Sequence, residues 1–397
     1  MPQRDYSTEI LGIKDVEIEK VEQEEKCIRI QFSKRRTGMI CPHCGEYTYT
    51  VHDYRIKELR DIPLQGKPVR LKYRRRRYIC RKCGKKSAEA FELSGKNQRT
   101  TVRLAIYGLK LSAERRSGKS IAAEVGVSSS SVNRWLKYLP GRRPEKLPRV
   151  LSIDEFRGNA GGERFQCILT APEEKKIVDI LPDRTACTIQ DYLRRFPNRG
   201  EVEYFVMDMN RAYREIARTF FPQAKIIIDR FHFVRYGVWA FESVRKRVQK
   251  SLNSQQRKLF KRSRKLLLAR ASSLETQDRQ AVEVMLSHSE DLTRAWLLKE
   301  EFFKFVDAGS SEAAKKALDS FRFYAQQIHL TEFKECLRML NNWEEYILNS
   351  FDCPYSNGFT EGINNSIKAL KRATFGMPNF HNFRARILHC HSFYPYP

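Results

Sequence analysis

Two short turns, Cys41-Pro-His-Cys44-Gly45 and Cys80-Arg-Lys-Cys83-Gly84, constrain the fold of this 397-residue chain more than any other feature. A Cys-x-x-Cys turn supplies two soft ligands, and two such turns complete the tetrahedral set of one structural zinc ion. The glycine that follows each pair relieves the tight backbone at the turn. The intervening 35 residues must therefore fold back as a hairpin to bring the pairs together. His43 and His52 stand nearby, but a four-cysteine site needs neither. The start, MPQRDYSTEI, lacks the apolar core of a signal peptide, and no run approaches the ~18 apolar residues of a membrane span. A cytoplasmic chain without a membrane partner is expected, its ten cysteines serving as metal ligands or free thiols rather than a disulfide framework.

The hairpin between the cysteine pairs is strongly basic. Residues 54–150 hold 27 Lys and Arg against 7 Asp and Glu, a net of +20, whereas residues 1–53 net −2. The whole chain nets +27, so most of the excess lies in about a quarter of its length. Charge concentrated in this way is the footprint of a polyanionic partner, here nucleic acid. Arg74, Arg75, Arg76 and Arg77, just before the second cysteine pair, are candidates for phosphate contact.

KSIAAEVGVSSSSVNRWLKYL then fits a helix-turn-helix. Ala122 is small where two helices must pack, and Gly126 can adopt the left-handed turn conformation. Val132 and Trp135, three apart, complete a core on one face of the second helix. Ser128 or Ser129 can cap that helix. Ser130, Ser131, Asn133 and Arg134 are then exposed for reading a DNA major groove.

Three prolines in PGRRPEKLPR, residues 140–149, mark a domain boundary. Beyond it, apolar runs such as VLSIDEF, FQCILTAP, KIVDILP, VEYFVMDMN and AKIIIDRF alternate with helical stretches, the rhythm of a mixed α/β sheet. From about 235 to 350, Gly and Pro almost vanish and several helices are expected. Asp154 and Asp208 each end an apolar strand, and Glu361 opens a helix in NGFTEGINNSIKALKR. Strand-end carboxylates held side by side repel unless a divalent cation lies between them. Magnesium prefers carboxylate oxygens, and two ions about 3.5–4 Å apart can serve phosphodiester chemistry. Each acid alone has a simpler reading as a helix cap, and Glu155, Asp183 and Asp229 are rivals. Strand alternation turns Glu155 away from Asp154.

Taken in order, CPHCG, CRKCG, SIDEF, VMDMN, DRFH and NGFTEGINNSIK resemble the DDE transposases of bacterial insertion sequences, in the group named for the ISL-three element. The resemblance runs from about Cys41 to about Arg386. It implies a multidomain α+β chain. Residues 1–95 would hold N-terminal strands and a zinc-ribbon-like domain, and 96–146 the helix-turn-helix. An RNase H-like catalytic domain would occupy 147–234 and 351–397, interrupted by an all-helical insertion at 235–350. It makes Asp154, Asp208 and Glu361 the catalytic triad, binding two Mg2+ (or Mn2+) ions. Asp229 and His232 of DRFHF become supporting residues. Lys368, two helical turns after Glu361, would face the DNA backbone. The implied partners are double-stranded DNA, as terminal inverted repeats and target, and further copies of the chain on it, at the nucleoid. A non-catalytic DNA-binding regulator and a structure-specific nuclease of the same fold are the alternatives.

Overall fold

The computed structural model describes residues 12, 15–90, 92–95, 97–139, 144–262 and 264–393. The chain divides into two compact units, one of residues up to 141 with 367–394, the other of residues 142–366.

The first unit is built on one sheet in the order β1-β2-β6-β5, with β7 also on β6. β1 (Val16–Gln23) and β2 (Ile28–Lys34) pair antiparallel, as their alternation predicts. β5 (Val51–Leu64) and β6 (Lys67–Ile79) form the long hairpin that the cysteine spacing requires. Gln65 and Gly66, at φ 52° and 73°, make its turn, the left-handed pair that matches strand twist. Its far end carries β3 (Met39–Ile40), β4 (Tyr47–Thr48) and β7 (Lys86–Ala88), which frame the two cysteine turns. Phe32, Leu59, Leu71 and Tyr73 fill the sheet's buried face.

The helix-turn-helix follows as α1 (Val102–Ala113), α2 (Gly118–Glu124) and α3 (Ser129–Leu136). Val132 and Trp135 are buried against Leu104, Leu111, Ile121 and Ala122. Gly126 takes φ 67°, and Ser128 is the residue that caps α3, its Oγ accepting from the Ser131 amide. Gly108 of α1 lies so close to the Trp135 ring that even a methyl group would collide with it.

The second unit has a sheet of order β10-β9-β8-β11-β12. β8 (Val150–Phe156), β9 (Gln166–Ala171) and β10 (Lys176–Leu181) form an antiparallel meander. After α4 (Ala186–Leu193), β11 (Tyr204–Met207) joins β8 in parallel. After α5 (Arg211–Phe220), β12 (Lys225–Ile228) joins β11 in parallel. A helical run follows: α6 (Arg230–Ser251), α7 (Ser254–Arg262), α8 (Arg264–Leu268), α9 (Thr276–Leu286), α10 (Glu290–Val306), α11 (Ser311–Ile328) and α12 (Lys334–Asn349). These helices share one apolar core with Leu151, Ile153, Phe205 and Met207 of the sheet. α13 (Gly358–Thr374) and α14 (Phe380–Phe393) end the described chain. The boundary between the units falls inside α13, so α14 belongs with the helix-turn-helix rather than with the segment from 351 onward.

Candidate active site and nucleic-acid surface

The four cysteine sulfurs lie within 4.8 Å of one another. Cys41 Sγ is 3.7 Å from Cys83 Sγ, and Cys44 Sγ is 3.5 Å from Cys80 Sγ. Tetrahedral zinc with bonds near 2.3 Å requires sulfurs about 3.8 Å apart, so the donor set fits that ion. Each pair closes with a glycine at positive φ, 73° at Gly45 and 69° at Gly84, whose amide donates to the carbonyl of the first cysteine. The His43 backbone amide helps hold the Cys41 thiol down at about 7.

The parallel register of β8 and β11 sets the second site. Val206 faces Ser152 across the ladder, and two residues further on the same register carries Asp208 beside Asp154. The 54-residue spacing of these acids is thus the register offset itself. Asp154 shares its face of β8 with Ser152, while Glu155 points the other way and is held by the Arg184 guanidinium at 2.6 Å. Asp183 is occupied at the start of α4, accepting from Thr185 and Thr188.

Amides and an imidazole close around the pair. Asn364 Nδ2 donates to Asp154 Oδ2 at 2.7 Å, and the Glu155 amide donates to its Oδ1 at 2.7 Å. His232 Nε2 meets Asp208 Oδ1 at 2.9 Å, and Asn357 Nδ2 donates to the same oxygen at 3.3 Å. Asp229 caps α6 and accepts the Asn357 amide at 2.9 Å, so it supports the site from behind. Beneath lies a buried hydroxyl ladder. Thr360 Oγ1 reaches Thr170 at 2.7 Å and Ser152 at 3.1 Å, and Ser152 also donates to Asn357 Oδ1. Burial and then the charge of Asp208 raise the Asp154 carboxyl to about 7. Burial works to lower His232, but its bond to Asp208 and the charges of Asp208 and Asp229 outweigh this and raise it.

Glu361 stands exposed in the first turn of α13, on the same face as Asn365 and Lys368. Thr360, Asn364 and Ile367 form the buried face. Among the described residues, only the cysteine quartet gathers three or more potential ligands within 4.8 Å of one another, so the three acids are not drawn together to that distance; the charge of Asp208 nonetheless reaches Asp154. Asn364 keeps a buried Oδ1 without a hydrogen-bond partner beside Asp154. Carboxylate and amide oxygens are hard donors of the kind magnesium takes. Asn357, Thr360 and Asn364 escaped the sequence reading. Asn357 lies just before α13, and Thr360 and Asn364 follow it by three and then four residues, a helical spacing that was the available signal.

On the first unit, Ser130, Asn133 and Arg134 are exposed along α3, and Ser131 is partly exposed and accepts from Arg134 at 3.2 Å. The four arginines of β6 are separated by strand alternation. Arg74 is exposed, stacked 4.1 Å from the Tyr54 ring. Arg75 donates to the Glu89 carbonyl at 2.8 Å, and Arg77 to Asp53 at 3.1 Å. Arg76 is buried, donating to the Lys34 carbonyl at 2.6 Å beside Glu89. Its side chain serves the fold.

Comparisons with known proteins bear on both sites. The profile of a family described as a transposase matches residues 151–387. A second, described as the zinc finger of the transposases of IS204, IS1001, IS1096 and IS1165, matches residues 37–83. Over 371 residues the chain is 26% identical to the transposase for insertion sequence element IS1001 of Bordetella parapertussis, which spans 90% of this chain and 91% of that protein.

Proposed function

The chain belongs to the ISL3 family of DDE transposases, and from that premise we propose that it binds the terminal inverted repeats of an insertion sequence and cuts and joins DNA at Asp154, Asp208 and Glu361. The observation that carries this reading is the pairing of Asp154 and Asp208 at adjacent parallel strands, with Asp154 raised to about 7. Such a pair is costly unless it has a cation to hold. We read the three antiparallel and two parallel strands as an RNase H-like sheet, and the helical run from α6 to α12 as the insertion that separates Glu361 from it.

Magnesium bound there would supply Lewis-acid stabilisation of the reacting phosphate. Asp154 and Asp208 would hold it, with the Asn364 oxygen beside them and Glu361 brought in from α13. Asn357 and His232 fix the Asp208 carboxylate, and Asn364 fixes that of Asp154. In the first reaction a water oxygen bonds to phosphorus and the bond to the 3′ oxygen breaks, leaving a 3′-hydroxyl. In the second, that hydroxyl attacks a target phosphodiester and displaces the target's own 3′ oxygen, so the number of phosphodiester bonds is conserved. The α3 face would read the ends, and Lys368 would face their backbone. Two ends must be handled together, so a dimer or larger assembly on DNA is proposed.

Cleavage tests this reading. A labelled terminal duplex should be nicked in Mg2+ and stay intact in EDTA, whereas a regulator would bind it and never cut. The zinc ribbon makes a separate prediction. Folding free energy of small zinc domains is largely metal binding, on the order of 10 kcal/mol. Cys80→Ser should therefore eject the ion, seen by atomic absorption, and cost terminal-DNA affinity. Unchanged affinity in the zinc-free chain would remove the ribbon from end binding.

A further inference from the structure

The turn between α13 and α14 carries an aromatic side chain placed against the usual rules. Phe375 is 92% exposed, more than any other large apolar residue described. It also occupies the position just past α13 where the chain turns left-handed, with φ 56°. The Phe375 amide bonds the Arg372 carbonyl, and the Gly376 amide bonds the Lys371 carbonyl at 3.1 Å. That is the helix stop in which glycine is usual, because a Cβ is disfavoured there. The sequence places its glycine one residue later, so burial and backbone both argue against phenylalanine here.

The turn is nevertheless held firmly against the helix-turn-helix. Arg386 of α14 is buried, its Nε donating to the Ser112 carbonyl at 3.2 Å and its other arm to the Arg116 carbonyl. His389 bonds the Leu109 carbonyl at 2.8 Å. Asn379 caps α14, accepting the Asn382 amide at 2.9 Å. The result is a cleft with Lys119, Ser129 and Asn133 of the helix-turn-helix on one side and Phe375, Met377 and Asn379 of the turn on the other. Ser129 and Asn133 belong to α3, the helix assigned to DNA. Residues 367–393 add five Lys and Arg and no Asp or Glu, and three of these, Lys368, Lys371 and Arg372, lie in the two turns before Phe375.

We infer that the α13–α14 turn is a second DNA-reading element of the helix-turn-helix unit, with Phe375 inserted as an apolar wedge between base steps of the duplex held by α3. An exposed aromatic amid cations, beside a recognition helix, matches double-stranded DNA in charge and in chemistry. Apolar wedges unstack a step and kink the duplex, at a cost met by wider contact. This inference rests on the reading of α3 as the DNA-binding helix.

The test uses the full chain and a terminal duplex with 2-aminopurine at successive steps. Binding of the unaltered chain should brighten one step. Phe375→Ala should abolish that signal and weaken binding about tenfold, the scale of one lost aromatic–base contact. Phe375→Gly should lose the same affinity yet melt at an equal or higher temperature, because glycine accepts the left-handed backbone. A residue needed only for the fold would lower both. Unchanged brightening in Phe375→Ala would overturn the wedge, as would a change confined to self-association of the free chain. Arg134→Ala keeps the two readings apart. If it weakens binding while Phe375→Ala does nothing, the wedge fails and α3 stands. If it too does nothing, the reading of α3 falls with it.

Discussion

Asp208→Ala is expected to cut strand cleavage by about 10²- to 10³-fold, while terminal-DNA affinity stays essentially unchanged. Asp208 is the hub of the site, accepting from both His232 and Asn357. Its loss removes one of two paired charges and leaves an imidazole and an amide without their acceptor. Removing an electrostatic element from a transition state typically costs that order of rate. Asp154→Ala should behave alike, because Asp154 is the other half of the pair. Glu361→Ala is the most informative of the three. Glu361 is exposed, so truncating it has little packing consequence. A loss of cleavage there with an unchanged melting temperature would assign Glu361 to the reaction. All three variants are compared on an end-labelled duplex in Mg2+, with binding measured in parallel. Normal cleavage by all of them would remove the triad.

Asp154→Asn is expected to separate stability from activity. The folded pKa of about 7 lies above the ordinary 3.8, first through burial and then through the charge of Asp208. A raised folded value means that the group's stabilising contribution is full below about pH 4. It is lost as pH rises through 7. In metal-free buffer the unaltered chain should therefore lose stability between about pH 4 and pH 7. Asparagine keeps the shape and can still accept from Asn364, at the loss of the Glu155 amide bond, but carries no charge, so that slope should flatten. At pH 8 the variant should be the more stable, by up to about 4 kcal/mol from a shift of roughly three units. It should not cleave. Urea unfolding at the two pH values reads the effect, and identical slopes in the two proteins would mean that Asp154 carries no such strain.

The parts of this molecule that chemistry forces into fixed spacing were legible in the sequence. Two Cys-x-x-Cys turns can do little but meet, and they do. The offset from Asp154 to Asp208 leaves room for a meander, a helix and a strand, which is the observed path. Ser128 and Gly126 announced the helix-turn-helix by capping and turn chemistry. What stayed hidden depends on partners distant in sequence. Arg76 reads like its neighbours until Glu89 and Lys34 are seen to enclose it. Asn357 and Asn364 look like the solvated face of a helix. Only the fold brings them to carboxylates 149 and 210 residues away. The association of α14 with the helix-turn-helix was equally silent, since it rests on Arg386 reaching carbonyls at the end of α1, a bond with no side-chain signature at the receiving end.

One carboxylate site is proposed both to cut and to join DNA. The most direct measurement supplies the chain with a terminal duplex already ending in a 3′-hydroxyl, a supercoiled plasmid and Mg2+, and follows joining of the labelled end to the plasmid. Covalent joining is expected from the unaltered chain and none from Asp208→Ala. A chain that nicks terminal DNA yet never joins a pre-cut end would be a nuclease, and joining undiminished in Asp208→Ala would place the reaction elsewhere.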